Sequence, residues 1–251
     1  MRILVTNDDG ITAPGLRELV NTLSEKHEVL VVAPSQEASA TGHAITIRLP
    51  IWVKEMKIDD KFLGYSVMGT PADCVKLGLD VFSKGKVDLI LSGINRGPNL
   101  GTDIIYSGTV SGALEGALQG VPSMAISMCD FDDPKYETGA KVAEKLVDEF
   151  PWELLPEFCA INVNVPDLPY EEIKGFRVTR QSRRRYRDYF EARRDPYGNT
   201  YYWMLGDVIE DDTSPDSDYL AVKEGYVSIT PITIFLTAED VYKELKRRMN
   251  R

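Results

Sequence analysis

Cysteine is scarce in this chain, and the three present, Cys74, Cys129 and Cys159, stand far apart with no CxxC pair. Neither a zinc cluster nor a disulfide framework fits that spacing, and a reducing cytoplasm is the expected setting. Histidine is scarcer still, with only His27 and His43 among 251 residues. The chain lacks any run of about 18 uninterrupted apolar residues, and its N-terminus reads straight into a strand without a charged-then-apolar leader. Neither a membrane span nor secretion is therefore expected. Positive charge is short as well: 29 Lys and Arg face 39 Asp and Glu, a net charge of -10. That balance argues against a general nucleic-acid binder, so no stable nucleic-acid partner is expected, while small anionic ligands are compatible with local positive charge. A GxxxxGK[ST] phosphate loop is also missing, which disfavours a P-loop nucleotide hydrolase.

What the chain does contain is a βαβ rhythm. "RILVT", "GLRELVNTLSEK" and "EVLVVAP" alternate a short apolar run with a helical pattern, and the alternation continues through "FLGYSVM", "TPADCVKLGLDVFSKG", "VDLILSGIN", "SGTVSGALEGALQG", "PSMAISM" and "YETGAKVAEKLVDEF". This pattern predicts an α/β fold with a mostly parallel sheet covered by helices. Pro14 and Pro71 fall at helix starts, and Gly120 at a helix end. After Asn162 the character changes to strand-like, partly aromatic segments with turn signals at "DPYGN" and "DTSPDSD", then a last helical pattern "TAEDVYKELKRRMN". This part reads as an antiparallel extension of the sheet or as an arm exchanged between subunits.

Ligands of an open parallel sheet collect beyond the carboxyl ends of its strands. The first such end is "LVTNDDG", which sets Asp8 beside Asp9. Two carboxylates at about 5 Å repel by roughly 3 kcal/mol at an effective dielectric of about 20. A tight turn closed by Gly10, with one Asp capping the next helix, is one reading of the pair. The other is a cation site, since Mg2+ and Mn2+ prefer carboxylate, carbonyl and water oxygens. Ser39 and Asn95, from later strand ends, are candidate neutral ligands, although each also suits an ordinary loop. Ser107, Gly108 and Thr109 open a small-residue helix whose amides either face a phosphate or carry a plain Ser/Thr cap. His43 either serves a phosphate oxygen or is structural. The basic run Lys174 to Arg194 is a solvated or subunit-contacting face, or a rim that attracts phosphorylated substrates.

Taken in order, "ILVTNDDG", "VVAPSQEASATGHAIT", "GTPADCVKLGL", "DLILSGINRGPNLGTDIIYSGTVSGALEGAL" and "SITPI" closely resemble the SurE (survival protein E) family of metal-dependent nucleotidases, over essentially the whole chain. The resemblance implies a Rossmann-like three-layer fold, with a nucleotidase core over 1–173 and a C-terminal extension over 174–251, an arm or hairpin plus terminal helix used in oligomerisation. It implies a phosphoric monoester hydrolase of the 5'-nucleotidase type, with 3'-nucleotides also cleaved. One divalent cation per subunit, Mg2+ or Mn2+, is expected on Asp8, Asp9, Ser39 and Asn95, with Asp8 and Asp9 also catalytic. The phosphate-side residues match Ser107, Gly108 and Thr109, with Gly42 and His43 nearby. Expected partners are nucleoside monophosphates, other phosphate esters or short polyphosphate, and further copies of the chain in a homodimer or homotetramer. The alternative is a regulator that binds nucleotide or phosphate without turnover. Aspartyl-phosphate chemistry of the haloacid dehalogenase type would show DxD after the first strand. A receiver domain would need an aspartate where this chain has Ser92 and Asn95.

Overall fold

A computed structural model describes residues 1–58, 61–84 and 86–249. Gly85 and Asn250, each the last residue of a predicted helical segment, lie outside the described residues. The expected rhythm is found in β1 (Arg2–Thr6), α1 (Pro14–Leu23), β2 (Glu28–Pro34), then, after a further strand β3 (Val53–Ile58) that the rhythm did not include, in β4 (Lys61–Val67) and α2 (Pro71–Leu77). They are followed by β5 (Leu89–Arg96), α3 (Asp103–Tyr106), α4 (Gly108–Leu118), β6 (Ser123–Met128), α5 (Tyr136–Glu149) and β7 (Cys159–Val165). Pro14 and Pro71 occupy the first turns of α1 and α2, where a missing N–H costs nothing. Gly120 follows α4 at φ +76°, a conformation that suits a residue without Cβ.

Strands β4, β2, β1, β5, β6 and β7 lie parallel and adjacent in that order. Because the central strands are covered on both faces, every residue from Ile3 to Thr6 and from Leu89 to Asn95 is buried. Alternate side chains serve opposite layers. Ile3, Val5, Leu89 and Leu91 join Leu16, Leu19 and Val142 of the α1 and α5 layer. Leu4 and Ile90 meet Cys74 and Val75 of α2 on the other face. Each such side chain contributes roughly 1.5–3 kcal/mol by burial. The helix α4 packs unusually near β5, for a Cβ on Gly112 would stand 2.7 Å from the Ser92 hydroxyl and one on Gly116 only 2.2 Å from that of Ser123.

Beyond residue 173 the chain divides its allegiance. The short β8 (Phe176–Val178) and β11 (Val227–Thr233) extend the same sheet, β11 antiparallel to β7, with β8 at the edge. Between them β9 (Arg185–Arg194) and β10 (Thr200–Ile209) form a separate two-stranded hairpin around the expected turn at 195–199. The "DTSPDSD" signal leads into a short helix, α6 (Asp218–Lys223), which periodicity did not disclose. Its start is capped by Ser217, whose hydroxyl accepts the Leu220 amide. The terminal α7 (Glu239–Met249) follows as expected.

Candidate active site

The strand order places a topological switch beside β1. From β1 the chain moves outward to β2 and β4, then returns to β5 on the other flank of β1. The crevice beyond the carboxyl ends of β1 and β5 is where such sheets bind ligands. After β1, Asn7 donates its side-chain amide to the Gly10 carbonyl at 2.9 Å. Gly10 turns at φ +99°, and the Ile11 amide returns to the Pro34 carbonyl at 2.8 Å. This tight turn displays both aspartates.

Asp8 is only 3% exposed. Its carboxylate accepts a short hydrogen bond from the Thr109 hydroxyl at the start of α4. Burial raises its pKa, and the Thr109 hydroxyl and amide pull against that rise. Gly108 is pressed against it: a Cβ there would lie 2.8 Å from the Asp8 Cβ, 2.9 Å from its Oδ2 and 3.1 Å from the Ala38 carbonyl oxygen. Asp9 is half-buried and accepts the Arg96 amide at 3.2 Å. Burial, and next the charge of Asp8, push its carboxyl up to about 6.

Asn95 arrives near the end of β5 and is nearly buried. Its amide nitrogen is committed to the Gly97 carbonyl at 2.8 Å, which leaves the amide oxygen as its donor atom for a ligand. The loop after β2 is anchored beside Asp8 by the Ala38 amide, which donates to the Asp8 carbonyl at 2.7 Å. The next residue is Ser39, exposed, its hydroxyl donating to Glu37 at 2.9 Å. Ser107 is the N-cap of α4, accepting the Val110 amide at 3.0 Å, so the first amides of this helix point toward the same rim with the positive end of its dipole. Asp8, Asp9, Ser39, Asn95, Ser107, Gly108 and Thr109 are thus gathered at one strand-end rim.

Gly42 and His43 follow Ser39 on the same loop. The Gly42 amide donates to the Tyr106 carbonyl at 2.9 Å, and His43 Nε2 lies 3.0 Å from Glu115, two turns along α4 from Thr109. Glu115 is a residue the sequence reading passed over. It is 2% exposed and also bonds Lys76 at 2.6 Å and Gln119 at 2.8 Å. Burial would raise its carboxyl, but the bonds from His43, Lys76 and Gln119 together hold it below the usual value. The available signal was a lone charge inside the small-residue run "SGALEGALQG". The basic run is largely neutralised locally: Arg177 pairs with Glu224, Arg180 with Asp216, Arg185 with Asp211 and Arg193 with Glu191. Buried Arg184 binds Asp103 and Glu210, tying the root of the hairpin to the loop after β5.

Chemically, the rim offers two carboxylates, an amide oxygen and a hydroxyl. Among the described residues no group of three His, Cys, Asp or Glu side chains forms a metal cluster. An all-oxygen donor set with two charges suits a hard divalent cation that keeps open positions, and it relieves the repulsion that raises Asp9. The set therefore fits Mg2+ or Mn2+ better than zinc.

The model of the family "Survival protein SurE" matches residues 3–188. The 5'-nucleotidase SurE of Fervidobacterium nodosum is 59% identical over 249 residues, covering 98% of this chain and 96% of that protein. The protein of the same name from Kosmotoga olearia is also 59% identical, covering 99% and 98% respectively. Among solved structures, the SurE protein from Aquifex aeolicus superposes with a TM-score of 0.85 at 44% identity, covering 98% of this chain and 99% of that one. With a family model matched over most of its length, relatives matched end to end and the same fold in a solved member, this chain belongs to the SurE family.

Proposed function

We propose that the chain hydrolyses nucleoside monophosphates to nucleoside and phosphate, at the 5' and also the 3' position, in a reaction that depends on a divalent cation. The observation that carries this reading is the adjacent pair Asp8 and Asp9 at the switch point, set against the start of α4 with the Asn95 amide oxygen uncommitted. The naming of its relatives as 5'-nucleotidases supports the same reading. Asp8, Asp9, Ser39 and Asn95 would hold one Mg2+ or Mn2+ per subunit. When bound, such an ion supplies acidification of water and screening of the phosphate dianion.

The chain's own residues divide the remaining work. Asp8, fixed by Thr109, is the rigid member of the pair. Asp9, the more accessible, is placed to take a proton from the attacking water. The first amides of α4 hold non-bridging phosphate oxygens and stabilise the charge that builds on them. Ser107 holds that helix start in shape, while Gly42 and His43 fasten the loop that carries Ser39.

The region 174–251 serves subunit association in a homodimer or homotetramer. Every residue of β9 is exposed, and Tyr202, Trp203 and Met204 of β10 lie open as well. A lone two-stranded hairpin is marginal in water, so a second copy is the natural cover. In α7, Val241, Tyr242, Leu245 and Met249 also form an uncovered apolar face. Three free, separated cysteines agree with a reducing cytoplasm, and no helix among the described residues is long and apolar enough to cross a membrane.

Phosphate release from a panel of 5'- and 3'-nucleoside monophosphates, phenyl phosphate and short polyphosphate, with Mg2+ or Mn2+ and with chelator, tests the proposal. Chelation should abolish turnover, and Asp9→Asn should lower kcat by about a hundredfold or more. Activity that survives complete chelation would sink the metal-dependent mechanism.

A further inference from the structure

The segment 97–107, between β5 and α4, ties two parts of the rim together. At its start the Gly97 carbonyl holds the Asn95 amide nitrogen at 2.8 Å, which sets where the Asn95 oxygen points. At its end the Ser107 amide donates to the Asp103 carbonyl at 3.0 Å, and Ser107 caps α4. A shift of this segment therefore moves a candidate cation ligand and the helix start together. From the core, Asn164 of β7 accepts the Asn99 amide at 2.8 Å and donates its own side-chain amide to the Asn99 carbonyl at 3.0 Å.

Much of the remaining grip comes from beyond residue 173. Asp218, the first residue of α6, is fully buried. One of its carboxylate oxygens accepts the Gly101 amide at 3.0 Å, while the other accepts the amides of Ser182 at 3.1 Å and Tyr219 at 2.7 Å. Gln181 donates its side-chain amide to the Gly101 carbonyl at 2.7 Å, and the Thr102 amide donates to the Arg184 carbonyl at 3.0 Å. Gly101 lies directly on this strand root: its φ is +55°, and a Cβ on it would stand 2.7 Å from the Arg184 carbonyl oxygen. The buried Arg184 guanidinium then pairs with the Asp103 side chain. A buried carboxylate bonded to backbone amides is costly to leave half-satisfied, so these contacts hold the segment to one position.

We propose that Asp218 and Arg184 are positioning residues of the reaction: through Gly101 and Asp103 they set the Asn95 oxygen and the start of α4 relative to Asp8 and Asp9. The assignment rests on the phosphomonoesterase reading above. It gives the region after residue 173 a part in the rim of its own chain, separate from association. Because both residues act on the cation and phosphate end of the site, their loss falls alike on every phosphate ester. Asp218→Asn isolates the effect. With its oxygen kept on Ser182 and Tyr219, its NH2 group faces the Gly101 N–H, and the segment is released at that point.

The test uses the full-length protein. In Asp218→Asn, kcat at saturating Mn2+ should fall by about tenfold for AMP and phenyl phosphate alike, and the Kd for Mn2+, read without substrate from the EPR signal of the free ion, should rise by about tenfold. Hydrogen exchange at the Gly101 and Thr102 amides should quicken while the β1 amides keep their wild-type rates. Arg184→Gln should act in the same direction, and Arg184→Lys, which keeps a charge for Asp103, should recover part of the loss. If these buried variants do not fold, Gln181→Ala, at an exposed position, carries the test with effects of about threefold. Unchanged Mn2+ affinity and loop exchange overturn the assignment even beside a lower kcat, because loss of folded protein lowers turnover without moving either. Exchange that quickens equally in β1 overturns it too. Variants that match an active wild type remove this inference alone, whereas a wild type that releases no phosphate from any monoester removes the proposed function with it.

Discussion

The strand-end rim and the β9–β10 hairpin solve opposite problems with similar chemistry. At the rim and along α4 behind it, charged groups are wholly or partly buried and each is met by its own chain: Asp8 by Thr109, Asp9 by the Arg96 amide, Glu115 by His43, Lys76 and Gln119. On the hairpin, apolar groups are exposed: Tyr202, Trp203 and Met204 stand opposite Ala192, Glu191 and Phe190 of β9 and remain more than half open. The association proposed above would cover that surface. Buried charge at the strand ends is met by contacts within the chain, whereas the hairpin leaves apolar surface open.

The largest expected effect sharpens the first half of that contrast. Asp9 titrates near 3.8 when free and is held at about 6 in the fold. Between those values the folded state keeps a proton that the unfolded chain has released. Stability of the chelated protein should therefore fall as pH rises through that window, by up to about 3 kcal/mol above it. Thermal unfolding in chelator from pH 4 to 7 reads this directly: Asp9→Asn should make the fall shallower, leaving the part that belongs to Asp8, whose carboxyl burial also raises, and Mn2+ should restore the wild type at pH 7. A chelated wild type with a flat profile would break the account of the pair.

Gly108→Ala is the next test. Its Cβ would fall 2.8 Å from the Asp8 Cβ, so the carboxylate or the helix start must shift. We expect kcat/KM to drop by roughly ten- to a hundredfold, as misplacement of a catalytic group does, while circular dichroism still reports the native fold. Wild-type kinetics would show that the rim is looser than its packing implies.

The smallest effect concerns the hairpin. Trp203→Ser should weaken subunit association by about 2 kcal/mol, roughly thirtyfold in the dissociation constant. The unfolding free energy at a concentration where both proteins are dissociated should change by no more than about 0.5 kcal/mol, as for other exposed positions. Analytical ultracentrifugation across a concentration series checks this, and an unchanged mass distribution would remove the hairpin from the interface.

Much of the fold was legible because buried parallel strands leave a coarse mark. "EVLVVAP" could be read as a strand covered on both faces, and β2 spans those same residues. The small-residue pattern of α4 announced its close approach to the sheet, which Gly112 and Gly116 bear out. Less legible were features made by partners distant in the chain. Glu115 reads as a stray charge until His43, 72 residues away, is brought to it. An antiparallel extension of the sheet was one expected reading, and β11 supplies it, but nothing local to "SITPI" says that its partner is β7, because periodicity records the pleat and not the neighbour. The hold of Asp218 on Gly101 is invisible for the same reason: 117 residues separate the two.

The sequence by itself determined the alternation of strands and helices, the turn that displays Asp8 and Asp9, and the family. Each depends on short-range order: hydrophobic period, turn residues, and motifs in sequence. Only the tertiary structure decided that Thr109 grips Asp8, that Asn95 keeps its amide oxygen uncommitted, and that His43 is turned toward Glu115. These are contacts between segments whose separation along the chain carries no record of their separation in space. Folding must first close the long loops between them, and the packing of α4 against the sheet fixes which side chains meet.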